Sequence, residues 1–206
     1  MRKKAVIVLH SCWKLQEESL EGVMERVKKA LCDKNPSVMG VSLIMFYDMI
    51  KYTENKDKFK DLIGSFVSIL KQIIEHRLPT SYDYHRLPAP WLQIQLLELL
   101  SILGKDNQHH SEYIYEILME TMKRADIGIH IGFAVLYQCL LTAFTIYPNP
   151  TVIAKAVSYI PQFLPSSSAP PQDSKTKISS TESNSNLRCA GFVFLFLPFL
   201  AFSILL

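Results

Sequence analysis

The chain has 206 residues, a formal net charge of +3 and 49% apolar residues. That length allows one ordinary domain and a tail. The charge is small, and Arg2, Lys3 and Lys4 form the only run of three consecutive basic residues, so there is no extended basic stripe to suggest nucleic acid as a partner.

Taken in chain order, the pattern gives helix after helix and no convincing strand pair. Arg2 to Lys14 reads as a first helix. Glu17 to Cys32 reads as a second, with Leu20, Val23, Met24, Val27 and Leu31 on one face. Asp33-Lys34-Asn35-Pro36 is turn chemistry, and Pro36 suits the first position of a third helix running to Lys51. Its apolar positions are Val38, Val41, Leu43, Ile44, Phe46 and Ile50. After a polar loop from Tyr52 to Lys58, a fourth helix is expected from Phe59 to His76, with Phe59, Leu62, Ile63, Phe66, Val67, Leu70 and Ile73 inward.

A longer connection, Arg77 to Ala89, leads to the most informative block. Pro88 and Pro90 forbid a helix before Trp91, while Pro90 fits a first helical residue. From Trp91 to Leu103 so little polar surface remains that the fifth helix must be packed on most of its circumference, Trp91 included. Gly104 reads as its C-cap glycine. Ser111 to Ala125 and the very apolar Ile127 to Tyr147 are the sixth and seventh helices. Pro148-Asn149-Pro150 separates the last helix, Thr151 to Ile160, with Val152, Ile153, Ala156, Val157 and Ile160 inward.

Eight helices joined mostly by short turns, with pairs recurring at roughly 40 residues, favour an all-α, HEAT/armadillo-like α-solenoid of helix pairs. Such a stack explains the apolar fifth and seventh helices, because a middle inner helix is covered by its partner and by both neighbours. Residues 1–164 form this body. Residues 165–188, rich in Ser, Thr and Pro, read as a disordered linker. Residues 189–206 are a hydrophobic tail.

The stretch Pro88-Ala89-Pro90-Trp91-Leu92-Gln93-Ile94-Gln95-Leu96-Leu97, extended by Leu99-Leu100 and Gly104-Lys105-Asp106, resembles a signature of the large adaptins, the clathrin-adaptor and coatomer large subunits. Arg2-Lys3-Lys4-Ala5-Val6 is similar to the basic start of one of their inner helices. Ala30-Leu31-Cys32-Asp33, Tyr47-Asp48-Met49-Ile50-Lys51, Leu62-Ile63-Gly64-Ser65-Phe66-Val67 and Thr145-Ile146-Tyr147-Pro148 look most like the epsilon class, the large chain of the fourth adaptor-protein complex. The resemblance covers about Arg2 to Leu164.

It implies a non-enzymatic scaffold of a vesicle coat at the trans-Golgi network and endosomes. The implied partners are a beta-type large chain, small and medium subunits, an Arf-type small GTPase and the cytosolic face of membranes. It implies no catalytic, cofactor or metal-binding residues. Against the family pattern, the chain is expected to lack the helices before Met1 and the trunk, hinge and ear after Leu164. A truncated product that competes with the longer chain or does nothing is therefore the alternative expectation, and its interior-repeat ends are expected to expose apolar faces.

The tail from Ala190 to Leu206 carries no charge and five phenylalanines. With Leu187 it approaches the ~20 residues that span a bilayer. A C-terminal membrane anchor stands beside translated intronic sequence, because Pro198 interrupts the segment and no basic residue follows it. Ala5 to Leu9 is too short for a secretory signal, so the body is expected to be cytosolic.

Four scattered cysteines, Cys12, Cys32, Cys139 and Cys189, fit reduced thiols, with the first three expected as packing residues. His109 and His110 with Glu112 and Glu116 have metal-ligand types near helical spacing, but read as a solvated helix start. Gly104-Lys105 lacks the rest of a phosphate loop. Arg2, Lys3, Lys4, Lys14, Lys28 and Lys29 read as solvated helix faces, though each could add about 1 kcal/mol near acidic head groups. Trp13 and Trp91 are weighed as partner anchors against core. No nucleophile, base and oxyanion arrangement stands out, so an enzyme is not expected.

Overall fold

The structure, a computed structural model, describes residues 1–16, 20–53, 56–105 and 107–163. The expected linker and tail lie outside these residues. The chain divides into two compact units, Met1–Val157 and Ser158–Leu206. Of the second, Ser158 and Tyr159 end a helix and Ile160–Phe163 forms a 3-10 turn.

All eight expected helices are present: α1 (Arg2–Gln16), α2 (Leu20–Leu31), α3 (Pro36–Tyr52), α4 (Ile63–Ile74), α5 (Pro90–Gly104), α6 (Gln108–Ala125), α7 (His130–Thr145) and α8 (Pro150–Tyr159). Asparagines start three of them. The Asn35 side chain accepts from the Ser37 N–H at 2.9 Å, that of Asn107 from His110 at 3.1 Å, and that of Asn149 from Thr151 at 3.0 Å. Each satisfies a donor that the first helical turn leaves free. Pro36 and Pro150 are the first residues of α3 and α8, where a missing N–H costs nothing.

In the first unit the helices stack as an all-α, HEAT/armadillo-like array. α2 packs on α3, α4 on α5 and α6 on α7, while α1, α3, α5 and α7 lie side by side as one layer and α4 lies beside α6 in the other. α5 touches α3, α4, α6 and α7, and Leu92, Leu96, Leu97, Leu99 and Leu100 are fully buried there. Burying each leucine is worth roughly 1.5–3 kcal/mol before the entropy of ordering it. By contrast α1 touches only α2 and α3 to any extent, and leaves Val8 60% and Leu15 83% exposed.

Several expectations are corrected. Gly104 is not a left-handed cap but the last residue of α5, with Lys105 after it as the cap. A Cβ at Gly104 would stand 2.8 Å from Ile114 Cδ1 and 3.0 Å from Ile146 Cγ2; the glycine is there to let α6 cross closely. Gly132 plays the same part at the start of α7, where a Cβ would collide with the Ala125 carbonyl oxygen. α7 starts later than expected, after the positive φ of Gly128 (68°) and an extended Ile129. The segment Lys56–Leu62 is a 3-10 turn leading into α4, with Phe59 buried.

The connection before α5 holds a two-stranded pair, β1 (Asp83–Tyr84) and β2 (Leu87–Pro88), with Tyr84 opposite Leu87. Its two-residue loop is His85 and Arg86, at φ 48° and 71°. Both positive values mark the mirror-image turn that matches strand twist, made here without the usual asparagine and glycine. Ala89 follows at φ 37° and caps α5 without a side-chain bond. Gln93, 1% exposed, folds back to donate to the Pro88 carbonyl at 2.7 Å.

Candidate interaction surface

Side-chain contacts hold the odd-numbered helices in step. His10 Nε2 and Lys14 Nζ of α1 reach Asp48 Oδ2 of α3 at 2.8 and 2.5 Å. Gly40 of α3 faces Leu92 of α5, and seven residues on, Tyr47 hydrogen-bonds Glu98. These two pairings advance together, so α3 and α5 run parallel. Thr142 Oγ1 of α7 donates to the Leu97 carbonyl of α5 at 3.2 Å.

What α3, α5 and α7 of this layer present outward is largely aromatic and apolar. α3 shows Ile44 and Tyr52, with Tyr47 half-buried between them; α5 shows Trp91, Ile94 and Ile102; α7 shows Tyr137, Leu141 and Phe144. The charges set among these residues are held by neighbours, while Lys3 and Lys4 of α1 and Lys51 of α3 stay exposed. Asp48 is shared by His10 and Lys14, and its hydrogen bond holds the Lys14 ammonium above its ordinary pKa. Burial, with the neighbouring Glu98 charge, pushes the Tyr47 hydroxyl up to about 12. Burial also raises the Glu98 carboxyl, outweighing the Tyr47 hydroxyl and Lys51, which act the other way. The side-chain oxygen of Gln95, one turn before Glu98, is buried with no hydrogen-bond partner among the described residues.

The even-numbered helices present a different face. α2 exposes Glu25, Arg26 and Lys29, α4 exposes Ser65, Ser68 and Lys71, and α6 exposes Glu112, Glu116 and Lys123. Among α2, α4 and α6, Tyr113 is the large apolar exception. Ion pairs such as Lys28 with Glu25 at 3.0 Å and Arg124 with Glu120 at 2.7 Å run along these helices. This is the pattern of a solvated outer layer.

Trp13 is core. Trp91, expected in the core, is 44% exposed and meets the Tyr82 ring at 6.4 Å. It is the second residue of α5, at the start of the helix. Val157 faces outward against expectation, Ile44 is exposed, and Cys12 and Cys32 are exposed, so of the three described cysteines only Cys139 is a packing residue. Burial pushes the Cys139 thiol up.

His109 and His110 sit in the first turn of α6, where His109 meets the Tyr113 ring at 5.3 Å. Among the described residues no three His, Cys, Asp or Glu side chains converge as metal ligands. No helix among them is long and apolar enough to cross a membrane. Arg2 pairs with Asp33 at 3.0 Å. The Asp48 network and the Tyr47–Glu98 pair were missed in the sequence; their only signal is a polar residue set inside each apolar stripe.

The family model described as the adaptin N terminal region matches residues 1–171. The chain is 42% identical to "AP-4 complex subunit epsilon-1" of Homo sapiens over 164 residues, which cover 80% of this chain and 14% of that protein. To "AP-4 complex subunit epsilon" of Arabidopsis thaliana it is 40% identical over 168 residues, covering 82% and 18%. To "AP-1 complex subunit gamma" of Dictyostelium discoideum it is 25% identical over 165 residues, covering 80% and 18%. The chain thus spans less than a fifth of the length of these relatives. A match along residues 1–171, on a stack of paired helices, places it: this chain belongs to the adaptin family, in its N-terminal region.

Proposed function

We propose that this chain is a non-enzymatic scaffold of an adaptor complex in vesicle-mediated transport, of the epsilon kind, acting on membranes of the trans-Golgi network and endosomes. Its partners on this reading are a beta-type large chain and small and medium subunits, with recruitment by an Arf-type GTPase. One observation carries the reading: the outward side of α3, α5 and α7 is largely aromatic and apolar, while α2, α4 and α6 expose mainly charged and polar residues. Protein interfaces are depleted of charge at their centre and anchored by Trp and Tyr, the residue types that Trp91, Tyr47 and Tyr137 provide. A partner donor would also satisfy Gln95 if that side chain rotated outward. The relatives named as AP-4 epsilon subunits support the same choice.

The test is co-expression of the tagged full chain with a small adaptor subunit and a beta-type large chain. Both are expected to co-purify with it. Recovery of the chain free of both partners would overturn the proposal.

A further inference from the structure

A cleft of about 130 Å³ lies where α4 ends, the hairpin turns and α6 ends; it is lined by Ile74, His76, Arg86, Leu87, Gln93 and Arg124, with Pro88. Among the described residues no carboxylate lines it. Two carbonyls there are already taken: that of Ile74 accepts from Arg124 Nη1 at 2.7 Å and that of Pro88 from Gln93 Nε2 at 2.7 Å. Donors are left over. Arg86 makes no ion pair among the described residues, and Arg124 and the His76 imidazole line the other two walls. Local backbone geometry presents two of these groups. His76 is at φ 58° just past the end of α4, and Arg86 at 71° in the hairpin turn, so helix-end and turn geometry fix where these two side chains start.

We propose that this cleft binds a phosphate monoester carried on a peptide side chain. Guanidinium groups recognise phosphate oxygens through paired, charge-assisted hydrogen bonds. Donors on three walls suit a tetrahedral oxyanion better than a planar carboxylate. The cavity is well below the ~300 Å³ at which pockets for larger organic ligands begin, and so takes one small group. The rim is close to neutral: Asp83 lies 3.6 Å from His76, Glu120 pairs with Arg124, and Glu75 pairs with Arg77 at 2.7 Å. Such a rim draws little on the diffuse charge of an anionic bilayer. What remains is short-range recognition of a single dianion, and this does not depend on the coat-scaffold reading.

Calorimetric titration of the full chain with a short glycine-flanked phosphoserine peptide tests it, beside the same peptide with plain serine, inorganic phosphate as competitor, and vesicles of phosphatidylserine and phosphatidylcholine. The phosphopeptide is expected to bind, the serine peptide not to bind, and inorganic phosphate to compete. Arg86→Gln, at an exposed and unpaired position, is expected to weaken binding roughly tenfold or more, as losing a charge-assisted pair does, with an unchanged melting temperature. Equal binding of the two peptides, no competition by phosphate, binding of the vesicles in place of the peptide, or an unchanged affinity in R86Q would each overturn the proposal.

Discussion

The two outer faces of the helix stack enclose the same kind of core, yet they are built differently. Along α4, Phe66, Leu70 and Ile73 point in and Ser65, Ser68 and Lys71 point out, which is how a helix that ends in water is made. Along α5, Leu96, Leu97 and Leu100 point in while Trp91, Ile94 and Ile102 point at least partly out. An inward stripe says only that a helix is packed on one side. The residues on its other side say whether that side meets water or protein.

The largest effect is expected where the comparison begins, inside α5. Leu100→Ala removes a fully buried side chain and should cost about 2–5 kcal/mol in denaturant unfolding. Ile94→Ala on the outward side of the same helix should cost well under half as much. Equal losses would mean that Ile94 belongs to the core, and the odd-helix face would shrink accordingly.

A smaller pair reverses sign between the layers. Gly104→Ala places its Cβ against Ile114 and Ile146 and should destabilise by roughly 1–3 kcal/mol. Gly64→Ala in α4 meets nothing within 4 Å and should stabilise by about 0.5–1 kcal/mol through helix propensity. Thermal melts of the two variants check this. The same sign for both would show that the close crossing at Gly104 does not constrain the fold.

The smallest expected effect is a pH dependence at the centre of the odd-helix face. Burial holds the Glu98 carboxyl above its ordinary 4.5, so the folded chain keeps this proton to higher pH than the unfolded chain does. Its contribution is present in full below 4.5 and is lost as pH rises through the folded-state value. The stability of the parent relative to Glu98→Gln should therefore fall as pH rises above 4.5 through the folded-state value. A difference that rises with pH would mean that Tyr47 and Lys51 outweigh burial.

Much of the helical body was legible because its signals are local. The Asn35-Pro36 and Asn149-Pro150 starts, the leucine-dense α5 and the stripes of α2 and α4 each follow from spacing and cap chemistry. What the sequence hid depends on neighbours distant in the chain. Gly104 looks like a cap until Ile114 and Ile146 are seen crossing it. Trp91 looks buried until the first turn of α5 is seen to leave it 44% exposed beside Tyr82. The hairpin is two residues per strand with His85 and Arg86 in its turn, too short to alternate and lacking the usual turn residues. The phosphate-sized cleft was equally invisible, because His76, Arg86 and Arg124 come from three separate elements.

The most direct measurement places the same new charge on each face and asks which face binds. Ile44→Asp with Ile94→Asp alters the odd-helix face, and Ser65→Asp with Ser68→Asp alters the even-helix face, each in the full chain co-expressed with the small and beta-type subunits. With the helical circular dichroism of both variants intact, the odd-face variant is expected to lose both partners and the even-face variant to keep them. Capture of both partners by the odd-face variant, or their loss from the even-face variant alone, would contradict the assignment of the docking face.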